Sequence, residues 1–267
     1  MKFSIVTISF NQAEFLERTL TSVVEQAGID LEYIVVDPGS TDGSRDMINR
    51  YGERIAHRIF APDRGPADGL NKGFALATGD IYGYLNSDDT LQPGALARVA
   101  AFFAAHPDVD VVTGHCAIVG PDDEVLRRMW SEPFTRLRVA YGASVQVQPS
   151  TFIRRAAFEK SGGFREENRV AWDAELLVDL YLSGARFAII DDFLSTYRLH
   201  NTSITNSGAL DGRAREWHDR VFRLLMKRAP RQHDAQIGRA MRLLKHLTQP
   251  RVTLERIRKG PIYQRGV

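Results

Sequence analysis

Short apolar runs that end in polar clusters alternate with helical stripes through the first hundred residues. Phe3 to Ser9 is β-rich and mostly apolar, the pattern of a strand buried in a parallel sheet. Asn11 reads as a helix N-cap, with Glu14 at capping-box spacing. Leu16, Leu20, Val23, Val24 and Ala27 then recur at helical spacing until Gly28. Tyr33 to Val36 predicts a second strand ending at Asp37, followed by the loop Pro38 to Ser44 and a short helix to Tyr51. A third strand between Ile55 and Ala61 leads into Pro62-Asp63-Arg64-Gly65-Pro66. A helix over Ala67 to Ala77 closes at Gly79, and Ile81 to Leu85 runs into Asn86-Ser87-Asp88-Asp89.

Strands and helices alternating every roughly 20–25 residues predict an α/β, doubly wound, mostly parallel sheet. Right-handed crossovers place the strand ends on one rim. That rim gathers Ser9, Asn11, Asp37, Asp63, Arg64, Asn86, Asp88 and Asp89. Two adjacent carboxylates there either hold a cation shared with an anionic ligand or form an acidic turn before the helix that Pro93 begins. Beyond it, Val109 to Ile118 and Glu124 to Trp130 predict a hairpin whose Pro121-Asp122-Asp123 reads as its turn. Ser150 to Arg154, Phe187 to Ile190 and Ser195 to Leu199 predict strands, Gly162-Gly163-Phe164 a turn, and Trp172 to Gly184 a helix. The second half is thus mixed, with antiparallel additions.

Composition narrows the class. At 25% charged and 43% apolar the 267 residues suit a soluble globular protein. Cys116 is the only cysteine, which excludes an internal disulfide and a Cys-based zinc site and fits a reducing, cytoplasmic setting. Apolar runs fall short of the about 18 residues of a membrane span, and Met1 to Phe10 reads as a strand rather than a signal peptide. The net charge of +2 conceals an asymmetry: residues 1–210 hold 20 Lys and Arg against 28 Asp and Glu, residues 211–267 hold 15 against 5. We therefore expect a catalytic body, 1–210, and a basic helical extension, 211–267. Basic amphipathic helices suit packing on an acidic body, an oligomer contact, or peripheral binding to an anionic membrane. Nucleic acid is not expected, since no stacking platform or recognised motif is present.

The motifs, taken in order, carry a resemblance. Ser4 to Asn11, Val36-Asp37-Pro38-Gly39-Ser40-Thr41-Asp42-Gly43, Asp63-Arg64-Gly65, Asn71-Lys72-Gly73, Asn86-Ser87-Asp88-Asp89, Gly162-Gly163-Phe164, Trp172-Asp173-Ala174-Glu175-Leu176 and Tyr197-Arg198-Leu199-His200 together resemble the family 2 inverting glycosyltransferases. The likeness spans about residues 3 to 205 and implies the glycosyltransferase A fold, the nucleotide-diphospho-sugar transferase type of α/β sheet. It implies that Ser9, Asn11, Asp37 and Asn86 hold the nucleotide. Asp89 is implied as the direct ligand of Mn2+ or Mg2+, with Asp88 nearer the ribose. Asp173 is implied as general base, Arg198 and His200 close over the diphosphate, and Gln148 lies in the acceptor stretch. Two positions depart from the pattern: Pro38 stands where many members have a second Asp, and Leu70 where many have Arg. That moves donor recognition toward Asp63, Arg64, Asn71 and Lys72.

The chemistry asks for the same residue types. A leaving diphosphate needs cationic stabilisation, to which Arg198 and Lys72 add charge-assisted hydrogen bonds. An acceptor hydroxyl needs a base, Asp173, or alternatively Glu175. Asp173 and Glu175 also open a helix, where they would compensate its dipole. Trp172 stacks on a sugar or packs in the core, Glu175 faces the acceptor, and His200 contacts metal or phosphate or is a satisfied loop histidine. The expected function is transfer from a nucleotide-diphosphate sugar to a saccharide or lipid-linked saccharide, in bacterial surface polysaccharide or glycolipid assembly. A sugar nucleotidyltransferase would want a glycine-rich basic loop where Ser9-Phe10-Asn11-Gln12 stands. A non-catalytic nucleotide or sugar binder would be indifferent to Asp173.

Overall fold

A computed structural model describes residues 1–168, 171–200 and 211–260. Strands β1 (Lys2–Ile8), β2 (Asp30–Val36), β3 (His57–Ile59) and β4 (Ile81–Asn86) alternate with helices α1 (Ala13–Val24), α2 (Ser44–Arg50) and α3 (Pro66–Phe74). These strands pair in parallel, in the order β3-β2-β1-β4. The chain therefore winds outward from β1 and then returns to its other edge as β4. Ligands of such sheets collect beyond the carboxyl ends of the strands where the order reverses.

The period-two alternation of the strands sorts the core into two layers. Phe3, Ile5, Tyr33 and Val35 face one side and pack with Leu16, Leu20 and Val23 of α1 and Leu96, Val99 and Phe103 of α4 (Ala95–Ala105). Val6, Ile34, Val36, Tyr82 and Tyr84 face the other and pack with Leu70 and Phe74 of α3. Phe158 of α6 (Arg155–Ser161) and Leu176, Leu177 and Leu180 of α7 (Trp172–Leu182) complete that layer.

Past β4 the sheet becomes mixed, as expected. Short β5 (Thr90–Leu91) is followed by β6 (Val111–Val119), β7 (Val125–Met129), β8 (Thr151–Arg154) and β9 (Phe187–Arg198). β8 lies between β4 and β6, antiparallel to both, while β7 forms a hairpin with β6. The two strands expected at Phe187–Ile190 and Ser195–Leu199 are one, β9, parallel to β6 with register shifts beside His115. A bulge absorbs the Asp191-Asp192 interruption that reads as a break in sequence. The capping box expected at Asn11 does not form. Asn11 is left-handed (φ 51°), and the Ala13 N–H at the start of α1 donates to Asp42 Oδ2 (2.8 Å) from the neighbouring loop.

The basic extension forms three helices, α8 (Asp211–Met226), α9 (Asp234–Thr248) and α10 (Pro250–Lys259). Val221, Phe222 and Leu225 of α8 are buried with Val178 of α7 and with Ala140 and Tyr141 of the α5 (Arg136–Ala140) segment. Lys245 of α9 pairs with the fully buried carboxylate of Glu132, and the Arg128 N–H of β7 donates to Glu255 of α10 (2.7 Å). Residues 201–210, where the expected boundary falls, and 261–267 lie outside the described residues, as does the end of the resemblance at 201–205.

One buried carboxylate ties the amino-terminal strands together. Glu32 on β2 accepts hydrogen bonds from Lys2 Nζ, Ser4 Oγ, and the N–H and Oγ of Thr78. Burial alone would raise its pKa, but these donors outweigh it and bring the carboxyl down to about 2. A depressed folded pKa contributes stability in full above the unfolded value near 4.5, lost as pH falls toward 2. Glu32→Gln should cost on the order of 2 kcal/mol at neutral pH. In urea titrations its deficit against wild type should shrink steadily between pH 4.5 and 2.

Candidate active site

The carboxyl end of β4 is held from three sides. Thr19 Oγ1 of α1 donates to the carbonyls of Ser87 (2.9 Å) and Asp89 (2.8 Å). Gln148 Nε2 donates to the Tyr84 carbonyl (3.0 Å), and Asn86 Nδ2 donates to Gln148 Oε1 (3.1 Å). The third support is Arg198, at the end of β9. Its Nε donates to the Asp88 carbonyl (3.0 Å), and Nη1 to the carbonyls of Gly120 (2.7 Å) and Pro121 (3.0 Å) in the β6–β7 turn. Nη2 pairs with Asp123, and the guanidinium lies over the Phe15 ring, 5.2 Å from its centroid, in cation–π contact.

That geometry gives the two adjacent carboxylates opposite surroundings. Asp89 is 0% exposed, and its Oδ1 accepts the Arg198 N–H (3.0 Å). Burial, then the charge of Asp88, push its pKa well above the carboxylate range against that N–H and the Arg198 charge. Asp88 keeps 18% of its side chain open, and His200 Nε2 lies 2.9 Å from its Oδ2. His200 packs against Phe15 (4.6 Å between ring centroids). The carboxylate that meets His200 is therefore Asp88 rather than Asp89, whose side chain turns inward.

Several residues expected to meet the donor are bonded to other parts of the protein. Asp37 is 0% exposed; its carboxylate accepts the N–H groups of Gly39 and Ser40, the Ser40 hydroxyl and Arg45 Nε. Asn71 is doubly bonded to the Phe164 backbone and fixes the Gly162-Gly163-Phe164 turn. Lys72 Nζ donates to the Pro62 carbonyl (2.6 Å) and Asp68 (3.0 Å). Arg64 is mostly exposed and pairs with Asp68 and Glu166. Arg198 has its guanidinium committed as described, and it braces the β4 end. Glu175 is buried and paired with Arg220 of α8, beside Arg165 and Asn168. For Asp37, Arg198 and Glu175, burial leaves a polar group that must be paired internally.

Other expected residues remain on the rim. Ser9 is buried, and its Oγ has no hydrogen-bond partner among the described residues. Asn11 clasps the next loop: its N–H donates to Ser40 Oγ (2.8 Å), and its Oδ1 accepts from the Thr41 N–H (2.9 Å). Asp63, at the end of the β3 segment, accepts the Gly65 N–H (2.9 Å). Burial and the charges of Asp68 and Asp37 raise its pKa against that N–H and Lys72. A Cβ at Gly69 would stand 2.9 Å from Asp63 Oδ2, so glycine in the first turn of α3 leaves room for this carboxylate. Asp173 opens α7; burial raises its pKa, opposed by the N–H groups of Ala174 and of Asp173 itself, and its charge reaches Tyr84 on β4. Trp172 packs against Tyr84 (5.9 Å) and Phe164 (5.6 Å).

Three contributors escaped the sequence reading. Phe10 is 59% exposed at the rim between Ser9 and Asn11; an aromatic breaking a strand-to-turn junction was its signal. Arg45 lies over Phe60 (5.0 Å) and neutralises Asp37. Asp42, beyond capping the helix that follows it through Ser44, also accepts the Ala13 N–H at the start of α1. Neither the Arg45–Asp37 pair nor the Asp42–Ala13 bond is visible without the fold. Among the described residues no group of three His, Cys, Asp or Glu side chains forms a metal cage.

Residues 4–162 match the family described as Glycosyl transferase family 2. An uncharacterized glycosyltransferase of Nostoc is 36% identical over 220 residues, covering 78% of this chain and 68% of the relative. The PGL/p-HBAD biosynthesis glycosyltransferase of Mycobacterium tuberculosis is 33% identical over 180 residues, covering 64% and 67%. Among solved structures, S. aureus TarS in complex with UDP-GlcNAc superposes with a TM-score of 0.70 at 22% identity, covering 97% of this chain and 78% of that one. The mannosyltransferase PcManGT of Pyrobaculum calidifontis, in complex with GDP-Man and Mn2+, gives 0.62 at 21%, covering 98% and 76%. At these identities the two superpositions establish the fold.

The bracing role of Arg198 is testable without any ligand. Arg198→Ala should lower the unfolding free energy by on the order of 3 kcal/mol, as loss of a buried, multiply bonded charge does. Denaturant titration of the unliganded protein measures this; a residue reserved for a diphosphate would leave that midpoint unchanged.

Proposed function

The chain belongs to glycosyl transferase family 2, and from that membership we propose that it is a metal-assisted, inverting transferase. It moves a sugar from a nucleoside diphosphate carrier to a hydroxyl of a saccharide or lipid-linked saccharide, in the cytoplasm, for bacterial surface glycan assembly. The observation that carries the reading is the Asp88–His200 pair on the rim where the strand order reverses. The ligands bound by the two superposable proteins, UDP-GlcNAc and GDP-Man with Mn2+, support the donor class, and the mycobacterial biosynthesis glycosyltransferase supports a role in glycan assembly.

The donor set suits a divalent ion. One carboxylate and one imidazole are ligands that Mn2+ accepts, and such ions share a carboxylate or two with substrate phosphates. Asp88 and His200 would hold it, and a bound cation would neutralise the charge that develops on the leaving diphosphate. The chain supplies the rest. Phe10 offers an aromatic face and Ser9 a free hydroxyl on the nucleotide side of the rim. Asp63, part-buried beside the Asp37 loop, is the carboxylate left open to accept from a base or ribose. Asn86 and Gln148 hold the β4 end on the acceptor side, with Trp172 beside Tyr84. Asp173 takes the proton from the acceptor hydroxyl; its raised pKa makes it a stronger base than an ordinary carboxylate. Because Asp173 acts on the proton and not on carbon, a single displacement inverts the anomeric centre.

Two measurements test this. Asp173→Asn should fold normally and release nucleoside diphosphate about 10²–10⁴-fold more slowly. In wild type the acidic limb of kcat/KM should lie above the usual carboxylate range, since the base must be ionised. In thermal melts with nucleoside diphosphates and manganese, saturating ligand should add about 2–3 kcal/mol of stability to wild type. Asp88→Asn should abolish the manganese-dependent part, whereas Asp89→Asn should keep it; the reverse result would return the metal to Asp89.

A further inference from the structure

The last two helices present apolar side chains to solvent while their opposite sides rest on the body. On α9, Ile237, Ala240, Leu244 and Leu247 follow i, i+3, i+7, i+10 spacing, with Leu243 on the same flank. Leu243, Leu244 and Leu247 are 66%, 58% and 82% exposed. The other side of the helix is occupied: Asp234 bonds to Arg228 and Tyr141, Met241 packs with the α8 cluster, and Lys245 pairs with Glu132. On α10, Leu254 and Ile257 are one turn apart and 52% and 75% exposed. Its other side is anchored through Arg251 to Asp191 and through Glu255 to the Arg128 N–H. The exposed leucines are thus a consequence of how the helices dock and are not frayed ends.

Charge identifies the occupant. Residues 234–260 contain seven Lys and Arg against two acidic residues, and both acids are bonded to the protein. Arg256, Arg258 and Lys259 flank Ile257 and are exposed. A stripe of leucine and isoleucine rimmed by cations is the make-up of a helix that lies in a lipid interface. An isologous contact with a second copy would set the same cations against each other. The body is net acidic and the extension net basic, so an anionic surface repels one end of the molecule and attracts the other. We propose that the α9–α10 surface docks this chain on an anionic lipid bilayer, with Leu243, Leu247, Leu254 and Ile257 entering the headgroup region. The inference is independent of the transfer chemistry, which nucleoside diphosphate release reads separately.

The test uses the full chain and vesicles of phosphatidylcholine with or without phosphatidylglycerol. Wild type should co-sediment with phosphatidylglycerol vesicles at low salt, and weakly with phosphatidylcholine alone. Leu247→Ser with Ile257→Ser, and separately Arg256→Gln with Arg258→Gln and Lys259→Gln, should each weaken partitioning at least about tenfold. Melting temperature and donor hydrolysis in solution should stay unchanged in both. Absence of wild-type binding, or equal binding to both vesicle types, overturns the proposal. So does a concentration-dependent doubling of mass in sedimentation velocity that the leucine variant abolishes, which would give the face to a second copy.

Discussion

The buried guanidinium of Arg198 is the constraint around which the site is arranged. Three stretches of chain, far apart in sequence, converge on it: the Asp88 carbonyl, the β6–β7 turn through the Gly120 and Pro121 carbonyls and the Asp123 carboxylate, and the Phe15 ring. A cation in that position has lost its hydration and must find its acceptors within the protein. Planar, with five donors in a fixed fork, arginine satisfies several carbonyls at once where lysine would not. The same residue's N–H takes Asp89 Oδ1, so one position orients both carboxylates of the pair: it draws Asp89 inward and leaves Asp88 toward His200.

The same division recurs around the rim. Carboxylates that are wholly buried are structural: Asp37 organises its loop with Arg45, Glu175 joins α7 to α8 through Arg220, and Glu32 ties β1, β2 and the loop before β4 together. Those that remain partly open are Asp63, Asp88 and Asp173, the ones to which the proposed function gives a ligand. Hydrogen bonds and ion pairs within the protein satisfy the first set, and for Glu32 they lower the pKa. The second set has fewer internal donors, and for Asp63 and Asp173 burial prevails and raises the pKa. Neighbours in sequence, Asp88 and Asp89 or Asp173 and Glu175, fall on opposite sides of this division because strand ends and helix starts aim successive side chains in different directions.

The basic extension follows a similar logic at larger scale. Lys245 and Arg220 are used against the body's buried acids Glu132 and Glu175, and Arg228 against Asp234 within the extension. Those pairs hold the helices in one orientation, and that orientation leaves the leucines of α9 and α10 outward. The charge asymmetry between body and extension is thus partly neutralised inside the molecule, and the cations that stay outside border an apolar stripe.

Read from residues alone, the strand–helix alternation through β4, the rim of polar strand ends and the family were legible, because each is a local pattern: period two, period 3.6, or a motif within a turn. The helical character of the extension and the turn at Asp122-Asp123 were legible for the same reason. What was not legible is which polar residue on the rim remains open. Arg198 and Asn71 read as ligand contacts and are bonded within the protein; Asp89 reads as the metal ligand and is wholly buried; α1 is capped by a residue 29 positions beyond its first. Motif spacing specifies residue type and order, but whether a given donor is already satisfied depends on partners dozens of residues away, and only the folded arrangement brings those partners within hydrogen-bonding distance.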